Sequence, residues 1–148
     1  MIMHKPTNPQ HIYGSHVANF IQPYLGLVLA GVKRLDSRLH ATPKPPYGVL
    51  AAGDVLSIKD ALGGIVAECE VLHVVCLELD VEGWATIERY KPAIMGTGEY
   101  WAGKAGANFA TLIWLGSIRH YDAPELYDLP ADQSWAAPPL ACQPIRRW

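Results

Sequence analysis

Residues 31–38 read Gly-Val-Lys-Arg-Leu-Asp-Ser-Arg. Three cations, Lys33, Arg34 and Arg38, crowd around one acid, Asp36. On an extended strand Arg34, Asp36 and Arg38 share a face, because side chains alternate sides. An acid held between two guanidinium groups stays ionised and orients them. Lys33 stands where an apolar segment gives way to this charged one. Gly31, just before it, lets the backbone turn sharply and lets a ligand approach closely. Such an array suits a phosphate or the edge of a base. The same spacing also describes a solvated strand face with a local ion pair, and spacing alone does not choose between the two.

A second group lies in residues 96–106, where glycines 96, 98, 103 and 106 surround Tyr100, Trp101 and Lys104. The two rings offer stacking surfaces for a base, and Lys104 offers a contact for its phosphate. Plugging one end of a small domain is an equal use for Trp101. Arg89 and Lys91 are close by in sequence. Trp84, Trp114 and Trp135 lie in apolar or periodic settings and are expected in the core. His73, on the apolar face of a strand, is expected to be a hydrogen-bonded core histidine. Ser37 and Ser57 carry no sign of a histidine partner, which argues against a serine hydrolase. Arg146-Arg147-Trp148 reads as a frayed tail.

Several elements must position these groups. Residues 17–22 form a strand candidate. Pro23 opens a short helix over 23–30, and Gly31 suits the left-handed position past its end. Alternation predicts a strand over 33–39. Pro43, Pro45 and Pro46 make 41–48 a loop. Gly53-Asp54 turns into a strand at 55–58. Residues 65–79 alternate, with Glu68 and Glu70 facing away from the apolar positions, and the far end is expected to be buried on both faces. Helical spacing over 80–95 follows an N-cap candidate, Asp80. Residues 96–106 read as a loop and 110–121 as one apolar strand. A further short strand is expected near Trp135.

The chain has 148 residues and a net charge of −2. Half of its residues are hydrophobic and 18% are charged, which excludes a disordered or solvating segment. The near-neutral total also excludes a uniform basic coat, but it hides a local pattern. Residues 1–47 carry +4, residues 48–88 carry −7 and residues 89–148 carry +1. An anion is best sought in the basic first third. Cys69, Cys76 and Cys142 make no C-x-x-C pair, and the six histidines are scattered, so neither a metal nor a cofactor is expected. Reduced thiols and a start without an apolar signal core lead us to expect a cytoplasmic protein. The apolar runs at 25–32 and 71–79 are too short to span a bilayer, so no membrane association is expected.

Gly31, Lys33, Asp36 and Arg38 just after an apolar helix, followed by a loop and Gly53-Asp54, form a spaced pattern. It resembles the ASCH domain of the PUA-like superfamily. The resemblance spans roughly residues 17–140, leaving 1–16 as an extended lead-in and 141–148 as a tail. It implies an α+β fold, a small mixed PUA-like β-barrel with a short early helix and a helical excursion before the last long strand. It also implies a cleft beside the first helix that binds RNA or a modified nucleotide or nucleoside. The expected ligand-binding residues are Gly31, Lys33, Arg34, Asp36, Arg38, Tyr100, Trp101 and Lys104. Some members of the family are amidohydrolases acting on acetylated cytidine, and others cleave nucleic acid. On that alternative Lys33 matches the catalytic lysine. Asp36, however, stands where the amidohydrolases carry a threonine, and where the wider family usually has glutamate. Glu82 and Glu88 are the candidates for a partner carboxylate. A protein-interaction domain without a ligand is the third reading.

Overall fold

A computed structural model describes residues 14–130 and 132–138. Most of the lead-in, Cys142 and the terminal Arg146-Arg147-Trp148 lie outside them. In chain order the elements are β1 (Ser15–Phe20), α1 (Tyr24–Leu29), β2 (Leu35–His40), β3 (Val55–Asp60) and β4 (Ile65–Glu78). There follow α2 (Val81–Ile94), α3 (Gly98–Gly103), β5 (Phe109–Leu115), β6 (Arg119–Glu125) and β7 (Trp135–Ala136). The class is α+β, as expected.

The long β4 organises the sheet. Ile65, Ala67, Cys69 and Val71 are buried, one every second residue, which is the mark of a strand with one face on a core. This half of β4 pairs with β3 and β6. A register shift between Val71 and His73 then re-aims the strand, and its second half pairs with β5. The strand order is β2-β5-β4-β3-β1-β7, with β6 also on β4. Only β1 and β3 run parallel among these pairings.

Two apolar clusters fill the two halves. Phe20, Leu25, Val28, Leu56, Ile58, Val71 and Trp135 belong to one, beneath α1. Leu35, Leu39, Ile87, Ile94 and Leu112 belong to the other, beneath α2. A buried polar chain runs beside the first cluster. The Trp135 indole N–H donates to His16 Nδ1 at 3.1 Å. An indole only donates, so the ring proton of His16 is on Nε2, which faces Asp54 Oδ2 at 3.1 Å. Asp54 also accepts from the Ala51 backbone N–H at 2.9 Å. The Gly53-Asp54 turn is therefore tied to β1 and β7.

The structure corrects several expectations. The sheet is open rather than a closed barrel, because the end strands β2 and β7 do not pair. Residues 110–121 are two strands, not one. The chain breaks at Gly116, where a Cβ would lie 2.9 Å from the Glu70 carbonyl oxygen. The far half of β4 is not buried on both faces. It has β5 on one side only, and His73 and Cys76 are exposed. His73 packs on Trp114 at 5.1 Å and is no core histidine. Trp84 and Trp114 cover the second cluster while partly exposed, whereas Trp135 is buried. Residues 98–103 form a helix within the expected loop, capped by Thr97, whose Oγ1 accepts from the Tyr100 N–H at 3.1 Å.

Candidate ligand-binding site

The site begins with the way α1 ends. Gly31 adopts φ +75°, the left-handed position that glycine reaches without strain. The Gly31 N–H donates to the Val28 carbonyl and the Val32 N–H to that of Leu27, both at 3.0 Å. These two bonds make a Schellman stop, which turns the chain and drives Lys33 inward. Gly31 thus aims the lysine from outside the cleft.

Lys33 is 4% exposed. Its Nζ donates to the Leu35 carbonyl at 2.8 Å and closely to the Ile94 carbonyl. Ile94 ends α2, so the ammonium meets the negative end of that helix dipole. The Tyr24 ring lies 5.6 Å from Nζ. Burial pulls the lysine below its ordinary range, Asp36 opposes that, and Arg38 adds to the lowering. The two carbonyl acceptors and the helix end hold Nζ in place, and these two bonds use two of the ammonium's three donors.

Asp36 and Arg38 lie two residues apart on one face of β2. Arg38 Nε donates to Asp36 Oδ2 at 2.8 Å, with both side chains largely buried. The guanidinium is also clamped between rings, 4.8 Å from Phe20 and 5.3 Å from Trp135. Its plane is thereby fixed.

Opposite β2 stands α3. Tyr100 OH and Ser37 Oγ are 2.7 Å apart, and the tyrosine hydroxyl also donates to the Ser37 carbonyl at 3.3 Å. Burial pushes the Tyr100 phenol up to about 12, so it is a donor and not a phenolate at neutral pH. Lys104 Nζ reaches the Leu39 carbonyl at 3.3 Å and lies 5.4 Å from the Tyr100 ring. Tyr24 OH, 3.2 Å from Thr97 Oγ1, links α1 to the start of α3.

These groups enclose a cleft of about 780 Å³ lined by Lys33, Asp36, Ser37, Arg38, Tyr100 and Lys104, among others. Five of the eight expected ligand residues line it. Gly31 and Arg34 instead border a neighbouring hollow of about 290 Å³. Arg34 does not share a strand face with Asp36, contrary to the expectation from alternation, because β2 starts only at Leu35. Trp101 does not line the cleft. It backs Tyr100 edge-on at 4.9 Å, with Lys91 over its own ring at 4.8 Å. Glu82 and Glu88 are exposed on α2 and also lie outside the lining, with Glu88 paired to Lys91. The carboxylates that line the cleft are Asp36, Glu99 and Asp132.

Phe20, Tyr24 and His40 also line it and were not anticipated. Strand alternation would have found His40, which continues the face of Asp36 and Arg38. Phe20 and Tyr24 flank the turn into α1 and carry no such signal. Among the described residues no cluster of three or more His, Cys, Asp or Glu side chains is placed to hold a metal ion. Nor is any helix there long and apolar enough to cross a membrane.

With this geometry in place, solved structures supply a match. An ASCH protein from Zymomonas mobilis superposes with a TM-score of 0.65, covering 84% of this chain and 87% of that one. The chain has the ASCH fold. Sequence identity to that protein is only 12%. A serine-to-alanine variant of the same protein gives a TM-score of 0.64 at 12% identity, covering 84% of this chain and 88% of that one. A tyrosine-to-phenylalanine variant gives 0.63 at 13%, covering 84% and 90%. No protein-family model and no curated protein matches the sequence. The ASCH fold is thus carried here by a sequence that has little in common with those of these structures.

Proposed function

We propose that the cleft binds RNA or a nucleotide. The observation that carries this reading is the convergence of Lys33, Arg38 and Lys104 with the rings of Tyr24 and Tyr100 on one cleft. Fixed cations suit phosphate oxygens, and ring faces suit a base. The carbonyl acceptors of Lys33 favour its charged form, which fits a lysine that holds an anion. The net charge of −2 fits a focused pocket better than a long electrostatic track.

Anisotropy of a short labelled single-stranded RNA across a salt series tests the proposal. Three cation contacts predict a log–log slope of about −2, since each contact on a single strand contributes about −0.7. Lys33→Met is expected to weaken binding about tenfold or more, the loss of a charge-assisted hydrogen bond. A salt-independent signal, or full affinity in the Lys33 variant, would contradict the reading.

A second reading is a hydrolase of acetylated cytidine or RNA in which Lys33 acts on the substrate. Its lowered pKa favours this. Turnover abolished in Lys33→Ala would support the reading, whereas turnover that survives would point to another site.

A further inference from the structure

The free edge of β2 is closed by side chains. Leu35, Ser37 and Leu39 point their carbonyls away from β5, and each meets a donor: Lys33, Tyr100 and Lys104 in turn. No ligand strand can add to this edge without displacing them. The three donors instead form a row along the cleft. Lys33 and Lys104 are anchored four residues apart on β2, a separation of about 13 Å at strand rise. The cleft therefore has a near end at Lys33 and a far end at Lys104.

The far end has its own chemistry. Arg38 and His40 are successive outward residues on one face of β2, and both line the cleft with Lys104. Lys44 follows on the loop that leaves β2. Among the described residues, neither Lys104 nor Lys44 forms an ion pair. His40 Nε2 is buried without a hydrogen-bond partner among them. Asp36 is already engaged by Arg38. Burial lowers both Lys104 and His40, and the neighbouring cations add to it: Arg38 and Lys44 at Lys104, and Lys44, Lys104 and Arg38 at His40. Asp36 is the counter-charge of Arg38, but Lys104 has none among the described ion pairs, so an anion at this end would satisfy Lys104 and the open His40 nitrogen.

We propose that Arg38, His40 and Lys104 form a phosphate subsite at the far end of the cleft, with Lys44 on the loop beside it. The ligand is then a nucleotide or an oligonucleotide and not a free nucleoside. This rests on the nucleotide reading above and sharpens it. A ligand that spans the row carries a phosphate at the Lys104 end, about 13 Å from the Lys33 end.

Calorimetric titration of the full chain with the four ribonucleosides, their 5′-monophosphates and a tetranucleotide RNA tests the subsite. The best monophosphate is expected to bind at least about tenfold tighter than its nucleoside, as one charge-assisted contact implies. Millimolar inorganic phosphate should compete with the monophosphate. In Lys44→Glu, an exposed substitution that spares the core, and in Lys104→Ala, the ratio of the two affinities should fall toward one. A tetranucleotide far tighter than every monophosphate would assign the phosphate to an RNA backbone. Similar affinities would assign it to a free nucleotide. Nucleoside and monophosphate binding equally well overturns the subsite but leaves the cleft reading standing. A ratio unchanged in both variants also overturns it. Binding by none of the probes overturns both proposals.

Discussion

At the scale of single residues, the buried Asp36–Arg38 pair is a stability liability as well as part of the cleft lining. The pair is largely buried, so removing one partner leaves a charge with poor solvation. Asp36→Ala is expected to cost about 3 kcal/mol in urea unfolding. Adding Arg38→Met should recover part of that loss, and the cycle of single and double variants measures the coupling. His40 gives a pH signature. Burial, with Lys44, Lys104 and Arg38 around it, holds the imidazole down at about 4. In the unfolded chain it titrates near 6.5. Between those values the unfolded state binds a proton that the folded state refuses, so stability falls as pH drops from about 6.5 to about 4. The urea midpoint of His40→Gln should drop less between pH 7 and pH 5 than that of the parent protein.

At the scale of elements, the cleft depends on how α2 hands over to α3. Asp80 starts α2, its Oδ1 accepting from the Gly83 N–H at 2.8 Å. Met95 ends it in the left-handed region, with φ 61°. Gly96 then lets the chain fold back tightly. A Cβ there would lie 2.7 Å from Tyr100 Cδ2 and 2.8 Å from Trp101 Nε1. Neither ring has slack, because Tyr100 is bonded to Ser37 and backed by Trp101. Gly96→Ala is therefore expected to destabilise the fold by about 1–3 kcal/mol through overpacking. It should also weaken ligand binding, because Tyr100 moves off the edge of β2. Thermal unfolding and the anisotropy titration read the two effects on one sample. Trp101→Phe would keep the backing ring and is expected to preserve more affinity than Tyr100→Ala.

At the scale of the whole molecule, Trp135 connects the core to the cleft. Its N–H satisfies His16, and its ring forms one wall against Arg38. Trp135→Phe retains a ring and removes the donor, leaving His16 Nδ1 buried without it. The expected cost is about 1–3 kcal/mol in chemical unfolding, with a loss of affinity for any ligand that Arg38 holds. Much of the architecture was legible in the chain. Period-2 alternation gave β4 nearly to the residue and β2 with a start two residues early, Gly31 gave the end of α1, and Asp80 gave the start of α2. These are local signals, set by backbone sterics and by which side of an element meets water. The Lys33, Asp36 and Arg38 cluster was legible for the same reason, since all three lie within six residues. Other features were not. Whether Trp101 faced a ligand or braced Tyr100, whether Arg34 joined Asp36, and whether the sheet closed all depended on contacts between distant segments. The sequence by itself determined the elements and the charged junction at β2. Tertiary structure alone decided that α3 lies across from that junction, that side chains cap the free edge of β2, and that the sheet stays open there as a cleft. The physical reason is that local propensity fixes each segment's conformation. The choice among its packings is made by burial and by the need of each buried carbonyl for a donor.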